Sequence, residues 1–102
     1  MDCIVDGDTL WIAGEKIRLK DIDAPEVHGA CRRERELAGR AAERLRQLSS
    51  AGHLRVTRAG RDRYGRTLAY LTVGGRDIGE RLIEEGLAVA WPHGPTAWCD
   101  VF

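Results

Sequence analysis

Between Asp6 and Glu26 stand six carboxylates, Asp6, Asp8, Glu15, Asp21, Asp23 and Glu26, with Arg18 among them. In "VDGDTL" Asp6 and Asp8 are two apart, and in "IRLKDIDAPE" Asp21 and Asp23 repeat that spacing. At an extended strand end, each pair points to one side. Brought together, the two pairs would supply the hard oxygen ligands that Ca²⁺ or Mg²⁺ prefers. Without a cation such crowded charges would raise one another's pKa. The alternative is turn chemistry, because Asp-Gly and Asp-Ala-Pro are ordinary turn formers. "DGD" matches only a fragment of the helix–loop–helix calcium loop, and the missing ligand positions and closing Glu exclude that motif.

Glu26 follows the Pro25 turn, which suits a carboxylate held in place, as a general base that activates water must be. Arg18 and Arg66 are candidate phosphate clamps, since a guanidinium offers paired donors matched to phosphate oxygens. A cation, a base and two arginines together can hydrolyse a phosphodiester by activating water and stabilising the charge that develops. Residue types alone leave open whether these groups converge, because Asp and Arg are common on surfaces.

The elements that must position them follow from periodicity. "CIV" and "TLWIAGEKIRLKDI" read as strands, the second folded about Ala13-Gly14-Glu15. Ile17 and Leu19, continued by Asp21, share one face, and Lys16, Arg18 and Lys20 the other. Pro25 stops the strand. From about Arg32 to Ser50 the period becomes helical, with Leu37, Ala38, Ala41, Ala42, Leu45 and Leu48 on one stripe, arginines on a solvated face and Gly52 at the end. "HLRVTRA" and "TLAYLTV" are strands joined by the "RDRYGR" turn, and Gly74-Gly75 signals a hairpin. A short helix runs from an Asp77 cap to a Gly86 stop, and "AVAW" is a last strand segment. Five short strands with an inserted helix predict an α+β, mainly β architecture: a five-stranded oligonucleotide/oligosaccharide-binding (OB-fold) barrel with one long and one short helix.

The 102 residues suit a single domain spanning 1–102. Sixteen basic residues balance sixteen acidic ones, yet the distribution is uneven. Residues 55–66 hold Arg55, Arg58, Arg61, Arg63 and Arg66 against Asp62, whereas 77–102 is acidic. The basic segment reads equally as a solvated loop or a phosphate-facing surface. No apolar run approaches the roughly 18 residues that span a bilayer. "MDCIVDGD" lacks the basic start and apolar stretch of a signal peptide. The expected location is therefore cytoplasmic, or secreted or periplasmic where an export signal has been removed, the latter slightly favoured. Cys3, Cys31 and Cys99 are too widely spaced for a zinc knuckle. Cys31 and Cys99 could pair if the ends of the fold meet in an oxidising compartment, with buried thiols as the alternative and as the expectation for Cys3.

"VDGDTL", "IRLKDIDAPE" and "DRYGRTLAY", in this order and at these separations, resemble the thermonuclease family typified by staphylococcal nuclease, from Val5 to about Trp91. The resemblance implies the same barrel with a helix packed beneath it. It also implies Ca²⁺-dependent hydrolysis of single-stranded DNA or RNA that leaves 3′-phosphate ends, in a monomer without membrane partners. Asp8 and Asp23 match the family's carboxylate ligands of calcium, Ala24 the backbone carbonyl that completes them, and Asp6 an acid just outside. Glu26 matches the carboxylate assigned as base, Arg18 and Arg66 the arginines on the scissile phosphate, and Tyr64 a tyrosine near the sugar. Trp91 falls near the aromatic contacts to the nucleotide, where it could stack on a base or close the small core. Trp98 and Cys99 could instead lock the tail down, Cys99 through Cys31. Asp21 departs from the pattern, adding charge where many relatives have a small residue. The neutral total also weakens the case for tight binding of long nucleic acids. A non-catalytic OB-fold module that binds nucleic acid or a protein partner is the alternative, and the complete set of acids and arginines argues against it.

Overall fold

A computed structural model of the chain describes residues 3–94, 96, 98 and 99. The strands are β1 (Cys3–Asp6), β2 (Thr9–Ile12), β3 (Glu15–Leu19), β4 (Ile22–Asp23), β5 (Leu54–Arg61), β6 (Thr67–Val73), β7 (Arg76–Asp77) and β8 (Val89–Ala90). The helices are α1 (Arg32–Ser49), between β4 and β5, and α2 (Ile78–Glu84), between β7 and β8. The main sheet runs β1-β2-β3-β6-β5, with β7 added to β6, while β4 and β8 form a separate two-stranded ladder. The architecture is α+β and mainly β, as expected. The expected closure is where it differs: among the described residues no ladder joins β5 to β1, so the sheet is open. β3 and β6 pair in parallel and the remaining ladders are antiparallel.

Alternation along the strands builds the core. Leu10, Ile17, Leu19, Ala69 and Leu71 turn inward and meet Ala41 and Leu45 of α1 and Leu82 of α2. On α1 the buried series is Glu34, Ala38, Ala41 and Leu45, steps of four, three and four that follow the helical turn. Its small residues let the helix approach closely. A Cβ on Gly7 would stand 2.6 Å from the Ala41 Cβ, so only glycine fits this turn. Gly74 and Gly75 both take positive φ, 60° and 77°, as a tight β6–β7 hairpin turn demands.

The caps follow their residues. Asp77 Oδ1 accepts the Glu80 N–H at 2.9 Å. At the other end of α2, Gly86 adopts φ 74°, and the Gly86 and Leu87 N–H groups return to the Ile83 and Leu82 carbonyls, a Schellman closure. α1 ends differently from expectation: it closes on Ser50 in right-handed geometry, and Gly52 lies beyond it. Its arginines are not all solvated, since Arg44 Nε and Nη2 grip Glu85 at 2.7 and 2.9 Å. Cys3 is exposed rather than buried, because it sits on the open β1 edge. Cys31 and Cys99 are joined by a disulfide. The rest of the "TAWCDVF" reading falls largely on residues 97 and 100–102, outside the described residues.

Candidate functional site

Strand register splits each acidic pair. The β1–β2 ladder shifts between Ile4 and Asp6, so the Gly7–Asp8 turn sends Asp6 and Asp8 to different partners. Asp8 is buried; its Oδ1 accepts the Thr9 hydroxyl and its Oδ2 the Ala24 N–H, both at 2.9 Å. Asp6 Oδ1 accepts the Val27 N–H at 3.1 Å and so pins the loop after Pro25. Asp21 and Asp23 also part company. Asp21 adopts φ 66°, which turns it out of the β3 path and leaves it exposed instead of continuing the Ile17–Leu19 face.

Arg18 gathers the other two acids. Its Nη1 lies 3.3 Å from Asp8 Oδ2, and its Nη2 lies 3.7 Å from Asp23 Oδ1. Nη1 also donates to the Leu19 and Ile22 carbonyls at 2.8 Å, which fixes the fork. Burial pushes the Asp8 carboxyl above its usual pKa, and the Arg18 charge and the Ala24 and Thr9 donors only partly oppose it.

Glu26 is exposed at the mouth of a cleft of about 280 Å³ that it lines with Asp23, Ala24, Glu34 and His93. Its backbone is held from α1: Glu34 Oε2 accepts the Glu26 N–H at 3.1 Å and Oε1 the Ala30 N–H at 3.0 Å. Glu34 was not singled out in the sequence, although it continues the buried Ala38–Ala41–Leu45 stripe, which is the signal that could have marked it. His93, in the loop that follows β8, places Nε2 at 2.7 Å from Asp23 Oδ2. The Gly94 carbonyl at Nδ1, then Asp23, raises the imidazole above its ordinary pKa. No local pattern announces this contact, because 70 residues separate the partners.

Arg66 belongs to the β5–β6 turn. Its Nε donates to Asp62 Oδ2 at 2.6 Å, and Asp62 Oδ1 accepts the N–H groups of both Tyr64 and Arg66. Tyr64 is exposed, with the Arg66 guanidinium 5.5 Å from its ring centre. Arg66 is thus engaged with Asp62 and not with the Arg18 cluster. The parallel β3–β6 register pairs Arg18 with Leu68, and Arg66 stands just before β6, two residues from Leu68. Trp91 is exposed and lines a second cleft with Arg18, Asp21 and Leu68.

As a cation site, the cluster has suitable donor chemistry. Asp8 and Asp23 present carboxylate oxygens between Arg18 and His93, and the Ala24 N–H lies against Asp8 Oδ2. Among the described residues no three His, Cys, Asp or Glu side chains already form a metal-holding group. Asp8 and Asp23 with the Ala24 carbonyl are the donors that would hold a hard cation.

Residues 16–96 match the family model described as Staphylococcal nuclease homologue. The succinoglycan biosynthesis protein ExoI of Rhizobium meliloti is 39% identical over 92 residues, covering 84% of this chain and 48% of that protein. Endonuclease YncB of Bacillus subtilis is 34% identical across all of this chain and 53% of its own length. The micrococcal nuclease of Shigella flexneri is 35% identical over 88% of this chain and 56% of its own. The chain spans about half the length of these curated relatives.

Proposed function

This chain belongs to the family of staphylococcal nuclease homologues, and on that premise we propose that it is a Ca²⁺-dependent phosphodiesterase. Its substrate is single-stranded DNA or RNA, and cleavage leaves 3′-phosphate ends. The observation that carries the reading is the Arg18 fork, which meets the carboxylates of both Asp8 and Asp23 beside the cleft lined by Glu26.

Asp8, Asp23 and the Ala24 carbonyl would hold Ca²⁺, with Asp6 bracing the loop behind them. When bound, Ca²⁺ would supply Lewis-acid polarisation of the phosphate. Glu26, exposed and fixed at its backbone, takes the proton of the attacking water. Arg18 and Arg66 neutralise the charge that develops on the phosphoryl oxygens, each through a planar two-donor fork. Tyr64 contacts the sugar–phosphate backbone and Trp91 offers a stacking face. The nuclease names of several relatives support the reaction class.

Digestion of denatured DNA with added Ca²⁺ or with EDTA tests the reading. Cleavage with Ca²⁺ and none with EDTA is expected. Binding without cleavage at any Ca²⁺ concentration would make the chain a non-catalytic module.

A further inference from the structure

Asp21 is the acid of the "IRLKDIDAPE" stretch that this chemistry leaves unused. Its φ of 66° is a conformation that Asp and Asn tolerate better than most residues. Oδ2 accepts the Tyr70 hydroxyl at 2.6 Å, and Lys20 Nζ lies 3.6 Å from Oδ1. The carboxylate is therefore anchored while 55% of the side chain stays exposed. The Asp21 carbonyl accepts the Trp91 N–H at 2.9 Å, so the two residues stand opposite one another at the end of the β4–β8 ladder. Both line a cleft of about 220 Å³ together with Arg18, Ile22 and Leu68.

An apolar wall with an exposed indole suits the flat face of one nucleobase, and Arg18 in the same lining suits the adjoining phosphate. An anchored carboxylate at such a cleft can only accept hydrogen bonds. In single strands the Watson–Crick edge is open to reading. There guanine presents N1–H and N2–H side by side, a match for two carboxylate oxygens. Adenine and cytosine each offer one amino group beside an acceptor nitrogen. Thymine and uracil hold their N3–H between two carbonyls, which repel a carboxylate.

Resting on the nuclease reading above, we propose that Asp21 is a base-selecting residue: its carboxylate favours guanine in the Trp91 cleft and disfavours thymine or uracil. Tyr70 is its positioning residue.

The test pairs two readouts on the same protein. One is cleavage of single-stranded oligonucleotides that carry each base in a fixed context. The other is binding of deoxyguanosine and thymidine 5′-monophosphate, followed by tryptophan fluorescence. A guanine preference of on the order of tenfold is expected, the lower part of the range for a bidentate base contact, because Asp21 is partly exposed. Asp21→Asn, which tolerates the same φ, should lose that preference through opposite KM changes at guanine and thymine. Tyr70→Phe should lose part of it. Equal cleavage at all bases by the parent, or a preference that survives Asp21→Asn, overturns the assignment and leaves the nuclease reading intact. No cleavage, with Asp21-dependent binding of deoxyguanosine monophosphate retained, overturns the nuclease reading alone. No cleavage and no base-dependent binding overturns both.

Discussion

Glu34 Oε2, from the first turn of α1, accepts the backbone N–H of Glu26 at 3.1 Å. The buried carboxylate thereby ties the loop that presents Glu26 to the helix beneath the sheet. A Cβ on Gly29 would come within 2.4 Å of the Glu34 side chain, so this loop is built around it. Glu34→Gln keeps the volume but turns an amide donor toward the Glu26 or Ala30 N–H. The expected cost is about 1–3 kcal/mol for a donor left unpaired, read from urea unfolding. Turnover should fall with it, because a base displaced by about 1 Å loses on the order of 10² in rate. Parent-like turnover in the variant would show that Glu26 does not depend on this tie.

Arg18 holds structure and site together, so its two replacements should separate the roles. With side-chain exposures of 17% and 8%, Arg18 and Asp8 form a largely buried pair. Arg18→Ala leaves the Asp8 charge without its cation and should cost about 3 kcal/mol or more. Arg18→Lys keeps a charge but not the fork, so it should retain more stability while turnover stays low. Unfolding midpoints and kcat on one denatured DNA substrate measure both. Equal turnover for the lysine variant and the parent would remove the fork from the mechanism.

Arg66 offers the cleaner kinetic test, because its ion pair with Asp62 is local to one turn. Arg66→Ala should change stability by less than about 1 kcal/mol. It should lower kcat by about 10²–10³, the usual effect of removing one preorganised charge contact. Asp62→Asn frees the guanidinium and still accepts the two backbone N–H groups, so its loss should be smaller. A larger defect in the asparagine variant would mean that the turn, and not the arginine, is what matters.

Glu15 predicts an acid limb of the stability curve. The Arg58 guanidinium, then the Thr67 hydroxyl, donate to its carboxylate and hold its pKa at about 2, below the ordinary 4.5. The folded state thus favours the ionised form. That contribution is complete above pH 4.5 and is lost as the pH falls toward 2. In Glu15→Gln the urea midpoint should decline less steeply across this window. An unchanged slope would place the acid sensitivity elsewhere.

Much of the site's content was legible locally. The helical stripe of α1, the Asp77 and Gly86 ends of α2 and the Gly74–Gly75 hairpin each rest on the chemistry of a few adjacent residues. The two acidic pairs were legible as acids and as turns, but not as partners. Spacing suggested that Asp6 would act with Asp8 and Asp21 with Asp23. A register shift after Ile4 and a positive φ at Asp21 separate them, and Asp8 meets Asp23 across Arg18 instead.

Sequence by itself determined the periodicities, the turn residues and the inventory of charged groups, because each depends on neighbours along the chain. Tertiary structure decided which charges meet. Glu34 reaches Glu26, His93 reaches Asp23 and Tyr70 reaches Asp21 only because helix packing and strand register bring distant segments to one place. The absence of a β5–β1 ladder among the described residues was likewise decided there, since pairing between strands depends on how the whole sheet twists and not on the residues of either strand alone.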